Sequence, residues 1–104
     1  MIEKVYKLTT GNEKTIEKVL FDENLHYIHM VFNKGEGAPV HMSNGNVYMT
    51  VVRGVLSIAL GEEETRSYQK GTLLKIPKGV KMNFKNLGEE TLELIVVKAP
   101  APQA

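Results

Sequence analysis

At 104 residues, with 42% hydrophobic and 24% charged positions, the chain has room for one globular core and is too apolar for wholesale disorder. Thirteen basic residues against twelve acidic leave a formal charge of +1, and the signs are interspersed, as where Glu62, Glu63 and Glu64 precede Arg66 and Lys70. No basic stripe with interleaved aromatics offers itself to nucleic acid, and the absence of cysteine removes disulfides, thiolate metal sites and Cys nucleophiles together.

The opening Met1-Ile2-Glu3-Lys4-Val5-Tyr6 lacks the basic-then-apolar layout of a signal peptide, and no uncharged apolar run reaches bilayer length. The expectation is a cytoplasmic protein with neither membrane nor nucleic-acid partners. Residues 1–10 predict a short strand around Val5, Tyr6 and Leu8, closed by the turn signal Thr10-Gly11-Asn12. From Lys14 to Phe21 the signals conflict. Ile16, Val19 and Leu20 fit helical spacing, and period-two alternation is poor, but the short strands on the C-terminal side favour a strand. Asp22-Glu23-Asn24 reads as a turn, and Leu25 to Phe32, rich in aromatic and β-branched residues, as a strand.

Beyond this point turn signals recur at Lys34–Gly37, Ser43–Asn46, Arg53-Gly54, Gly61–Glu63, Lys70-Gly71, Pro77–Gly79 and Leu87–Glu89. The short strands between them predict an all-β sandwich or barrel. Leu56, Ile58 and Leu60 share one face of their strand, and Leu74 and Ile76 share one face of theirs. From Glu90 to Val97, Leu92, Leu94 and Val96 form one row while Ile95 and Val97 face the other way. That strand is expected to be buried on both sides or paired with a second subunit. The tail, residues 98–104, is proline-spaced and expected to be extended or frayed.

Two spaced patterns organise the centre. In the first, Gly35 is followed after five residues by His41, then Ser43, Val47 and, after six more, Gly54. In the second, Gly71 is followed after five residues by Pro77, then Gly79, Met82 and Asn86. Residues of one parity on a strand share a face, so His41, Ser43, Val47, Met49 and Val51 are expected to point inward. The glycines supply turn conformations, Pro77 a corner, and Asn86 a side chain that bonds backbone near a turn.

These spacings resemble the two motifs of the cupin superfamily, over residues 35–54 and 71–86. The resemblance implies a single-domain, double-stranded β-helix (a jelly-roll barrel) over residues 1–104. In metal-dependent cupins the two motifs supply three histidines and one glutamate to a divalent ion. The matching positions here are His41, Ser43, Val47 and Met82, so one ligand of four is kept. A hydroxyl, an isopropyl and a thioether do not replace imidazole, carboxylate and imidazole around a hard or borderline ion, and no metal cofactor is expected.

His41 has three readings: a partly buried histidine bonded at the barrel mouth, a donor or acceptor in a binding pocket, or a metal ligand. Val47 and Met82 read as core filling. His26 and His29 are three apart and must face opposite sides of their strand, so only one can enter the barrel. If His29 approached His41, then with Met49 and Met82 it would make a sparse soft set suited to a transition metal such as Cu(I). Glu62–Glu64 reads as a solvated hairpin tip, and no serine has a nucleophile's setting.

The reading that follows is a metal-depleted homodimeric barrel that binds a small molecule at an apolar mouth. The pocket would be lined by His41, Ser43, Asn46, Val47, Tyr48, Met49, Met82 and Phe84. Two alternatives stand beside it. One is an isomerase- or oxygenase-type enzyme using non-standard metal ligands or acid/base chemistry through His41. The other is a homodimeric scaffold without a ligand, which a filled barrel would favour.

Overall fold

The computed structural model describes residues 1–103 and is all-β. Its strands are β1 (Thr15–Phe21), β2 (His26–Phe32), β3 (His41–Met42), β4 (Val47–Arg53), β5 (Val55–Leu60), β6 (Arg66–Gln69), β7 (Leu73–Ile76), β8 (Lys81–Lys85) and β9 (Leu92–Lys98). They form two antiparallel sheets, a five-stranded one in the order β1-β2-β9-β4-β7 and a four-stranded one in the order β3-β8-β5-β6. This is the expected jelly roll.

Alternation decides what lies between the sheets. Cross-strand register places Ile28, Val96 and Met49 in one inner row of the larger sheet, with Met30, Leu94 and Val51 in the next. The smaller sheet answers with Leu56, Ile58, Met82 and Phe84, and all of these side chains are buried in one cluster. The rings of Phe32 and Phe84 meet edge to face at 6.4 Å, a favoured aromatic geometry at the centre of the core.

The conflict over residues 14–21 resolves as a strand with a bulge. Lys18 pairs with Ile28 and Leu20 with Tyr27, so Val19 is an extra residue that breaks the two-residue period and imitates helical spacing. The strand expected around Val5, Tyr6 and Leu8 does not form: that backbone enters no ladder, and Val5 and Tyr6 are exposed. Side-chain bonds hold the adjoining Thr9–Asn12 instead: Thr9 donates to Glu17, and Arg53 donates to Asn12 Oδ1 and to the Gly11 carbonyl. No helix is long and apolar enough to cross a membrane.

The motif residues act as backbone devices. Gly35, Gly54, Gly71 and Gly79 all have positive φ. Asn86 is fully buried: its Nδ2 donates to the carbonyls of Phe32 (3.0 Å) and Glu90 (2.9 Å), and its Oδ1 accepts from Gly88 N (3.0 Å). One side chain thus ties β2 to the β8–β9 turn. The described part of the tail bends at Ala99 and Pro100 and is tied to the barrel. Lys98 belongs to β9, Ala99 N donates to Asn46 O, and Ala101 N donates to Asn24 O.

Candidate functional site

One end of the barrel is closed by the β1–β2 turn, the β3–β4 loop, the β7–β8 turn and the docked tail. His41 stands there on β3, a two-residue edge strand, paired with Met82 and therefore turned to the inner side as expected. The shortness of β3 leaves His41 exposed, its ring edge-on to Phe84 at 6.4 Å. Its Nδ1 lies 2.8 Å from the Pro39 carbonyl. That acceptor requires a proton on Nδ1, which makes Nε2 the free lone pair whenever the ring is neutral.

Ser43 is inward and buried, but its hydroxyl is consumed. It donates to the Pro77 carbonyl (2.7 Å) and accepts from Val80 N (2.9 Å), while the Ser43 backbone exchanges bonds with Val80 and Gly79. The residue joins the β3–β4 loop to the β7–β8 turn. Val47, Met49, Met82 and Phe84 are buried in the common core and expose no wall to a ligand. Tyr48 lies on the opposite face of β4 from Val47 and Met49, with Lys75 Nζ 5.8 Å from its ring centroid, so it does not meet the other pocket candidates. Asn46 does border a cleft at this end of the barrel, described further below.

The four positions at which metal-dependent relatives hold an ion do not fit one here. Val47 is packed in hydrocarbon, the Ser43 hydroxyl is satisfied by backbone, the Met82 thioether is core, and only His41 presents a free donor. Among the described residues no group of three His, Asp or Glu side chains is arranged to hold a metal.

The two histidines of β2 take roles opposite to the soft-metal expectation. His26 faces inward, stacked on Phe21 with centroids 3.6 Å apart and planes within 4°, and it pairs across the ladder with Lys98. Lys98 spans the barrel end, donating from Nζ to Asn44 Oδ1 at 3.1 Å, and burial pushes its ammonium below the ordinary lysine range. His29 faces outward, away from His41, and is fully buried.

His29 carries a charge network absent from the sequence reading. Its Nδ1 lies 2.7 Å from Glu17 Oε1 and its Nε2 2.6 Å from Glu93 Oε2, so only the doubly protonated ring donates to both. Arg53 Nε stands 3.2 Å from the other Glu93 oxygen. The result is an alternating Arg–Glu–His–Glu chain across β4, β9, β2 and β1. The Glu17 carboxyl is held down from its ordinary 4.5 to about 2, chiefly by the Thr9 hydroxyl, then by the Thr9 amide and by His29. Glu17 and Glu93 share the outward parity of His29, but their meeting depends on the register of three strands, which no local pattern reports.

The cupin domain family model matches residues 28–98, most of the chain. The protein is a cupin. An uncharacterised protein of Methanocaldococcus jannaschii is 36% identical over 99% of this chain and 90% of its own length. A crystal structure from the same organism, described as an RmlC-like cupin family protein with a double-stranded β-helix fold, superposes with a TM-score of 0.93. It is 36% identical and covers 96% of this cupin and 93% of its own chain. A cupin-like protein from Thermotoga maritima shares the fold alone, at 18% identity and a TM-score of 0.78 over 90% of this chain and 81% of that one.

Proposed function

We propose that this cupin is a metal-independent binding protein that holds a small molecule at one end of its barrel, outside the packed core. The reading rests on where polarity is concentrated. The inner rows are hydrocarbon until the last one, where Lys98 and His26 join Val47 and Ile76, with His41 and Asn44 reaching the same end. Ligand sites are apolar surfaces carrying a few fixed polar groups, and the end of this barrel has that composition. Val47, Met82 and Phe84 belong to the packed core beneath and line no pocket, and His41 and Asn46 are the polar side chains of this end left free to reach a ligand.

A thermal-shift screen of small polar metabolites in the presence of a chelator tests this. A ligand present at about a hundred times its Kd should raise Tm by roughly 10 °C. The shift should survive chelation and shrink in His41→Ala. Stabilisation by divalent ions alone would overturn the reading.

We also propose that the cupin pairs with a second copy of itself. The outer face of the larger sheet aligns Val97 with Tyr48 and Ile95 with Thr50 and ends on Leu73, which is 61% exposed. The N-terminal segment exposes Met1, Ile2, Val5 and Tyr6. Each chain therefore carries both an apolar arm and an apolar face that it does not itself cover, and exchange between two copies covers both. Light scattering should give twice the monomer mass, falling to the monomer value in Leu73→Glu; a monomeric parent protein contradicts the pairing.

A further inference from the structure

The cleft at the barrel end has a volume of about 390 Å³ and lies between the C-terminal tail, the β3–β4 loop and Lys78 of the β7–β8 turn. Asn44 and Asn46 both border it, and both amides have a fixed orientation. Asn44 Oδ1 accepts from the Lys98 ammonium, and Asn46 Oδ1 accepts from the Lys78 backbone N–H at 3.3 Å. Ammonium and amide N–H groups only donate, so it is the oxygens that must face them, and the two NH2 groups are the free ends. Among the described residues neither amide nitrogen donates to a protein acceptor, and no carboxylate pairs with the Lys78 ammonium.

The side chains of Asn44, Asn46, Lys78 and Gln103 bring donors to the lining, and among the described residues its one carboxylate is Glu23, set against the charges of Lys78 and of Lys98 behind Asn44. Pro100 and Pro102 add an apolar wall.

We infer that this cleft binds a small organic acid, whose carboxylate accepts from the Asn44 and Asn46 amides and from Lys78 while its carbon chain lies on the tail prolines. A carboxylate has acceptors only, and bonds from amide and ammonium donors to it are charge-assisted. The partly desolvated Lys98 ammonium, bonded to the neutral Asn44 amide, gains a negative neighbour on binding, which favours an anion over a neutral ligand of equal size. The inference rests on the proposed barrel-end binding and narrows it to one cleft and one charge type.

The test is a titration of the full-length protein with succinate, followed by NMR of its asparagine side-chain amides, with succinamide and inorganic phosphate as parallel probes at constant ionic strength. Saturable shifts of the Asn44 and Asn46 NH2 signals with succinate, and little response to succinamide, are expected. Asn46→Asp keeps the acceptor for Lys78 N–H but replaces the free NH2 with a second oxygen, and should weaken succinate by about tenfold or more through lost donors and repulsion. Lys78→Gln should weaken it in the same direction. Equal response to succinamide, preference for phosphate, unchanged affinity in Asn46→Asp, or silence towards all three probes overturns the inference. Shifts confined to the His41 side of the barrel end would overturn the cleft assignment while leaving barrel-end binding intact.

Discussion

Replacing His29 with leucine is expected to destabilise the fold by about 3 kcal/mol, because the change leaves two carboxylates facing a side chain that can neutralise neither. His29 is 0% exposed and bonded on both ring nitrogens, so water has no access to the ring position. Glu17 and Glu93 retain partial exposure, and Glu17 keeps its bonds from Thr9, which places the cost at the lower end for a broken buried ion pair. For a domain of this size the loss corresponds to a fall in Tm of roughly 12 °C or more. Chemical denaturation of the two proteins measures it directly, and a difference below about 1 kcal/mol would mean that the network carries no more than a surface pair.

The same network fixes a pH dependence. Folding holds the Glu17 carboxyl at about 2 against an ordinary 4.5, so the unfolded chain takes up this proton first on acidification. The stabilisation is complete above pH 4.5 and is lost as pH falls towards 2. Thr9→Val removes the largest cause of the shift and should flatten that acid limb, while leaving stability near neutrality less affected than His29→Leu does.

Gly54→Ala is expected to be at least as costly, at about 3 kcal/mol or more. Gly54 has φ +79°, a conformation that costs an L-residue roughly 1–2 kcal/mol. A Cβ there would lie 2.5 Å from the Thr91 carbonyl oxygen and 2.9 Å from Leu92 Cα, both backbone atoms, and Leu92 is anchored in the core. Relief therefore requires the start of β9 to move away from the β4–β5 turn. Gly71→Ala isolates the conformational part: its φ is +89°, but a Cβ would meet nothing within 4 Å, and its cost should be near 1 kcal/mol. Equal losses in the two variants would show that contact between the turns contributes nothing.

These contrasts also explain what the sequence could disclose. Gly54, Gly71, Pro77, Gly79 and Asn86 answer demands of nearby backbone, and such demands appear in a chain as residue types at fixed intervals. The jelly roll is therefore legible in the sequence itself. β1 was ambiguous because the bulge at Val19 erased its period. His41, Ser43, Val47 and Met49 lie on the inner side that their shared parity implies. Parity carries no information on the length of β3, which leaves His41 in solvent, or on the backbone groups that consume Ser43.

Tyr48 lies between two inward neighbours, and the same parity rule excludes it from their pocket. Glu17, His29, Arg53 and Glu93 are remote in the chain and meet only through the register of β1, β2, β9 and β4. Their association was beyond the reach of spacing. The polar barrel end was hidden for a related reason: Lys98 read as the start of a loose tail, whereas it closes β9 and reaches across to Asn44.

The central claim is that this cupin keeps the barrel of its family without the ion. Elemental analysis by plasma mass spectrometry, on protein purified with neither added metal nor chelator, tests that most directly. Transition-metal content far below one ion per chain, unchanged in His41→Ala, is the expected result. Close to one divalent ion per chain, lost when His41 is replaced, would contradict it.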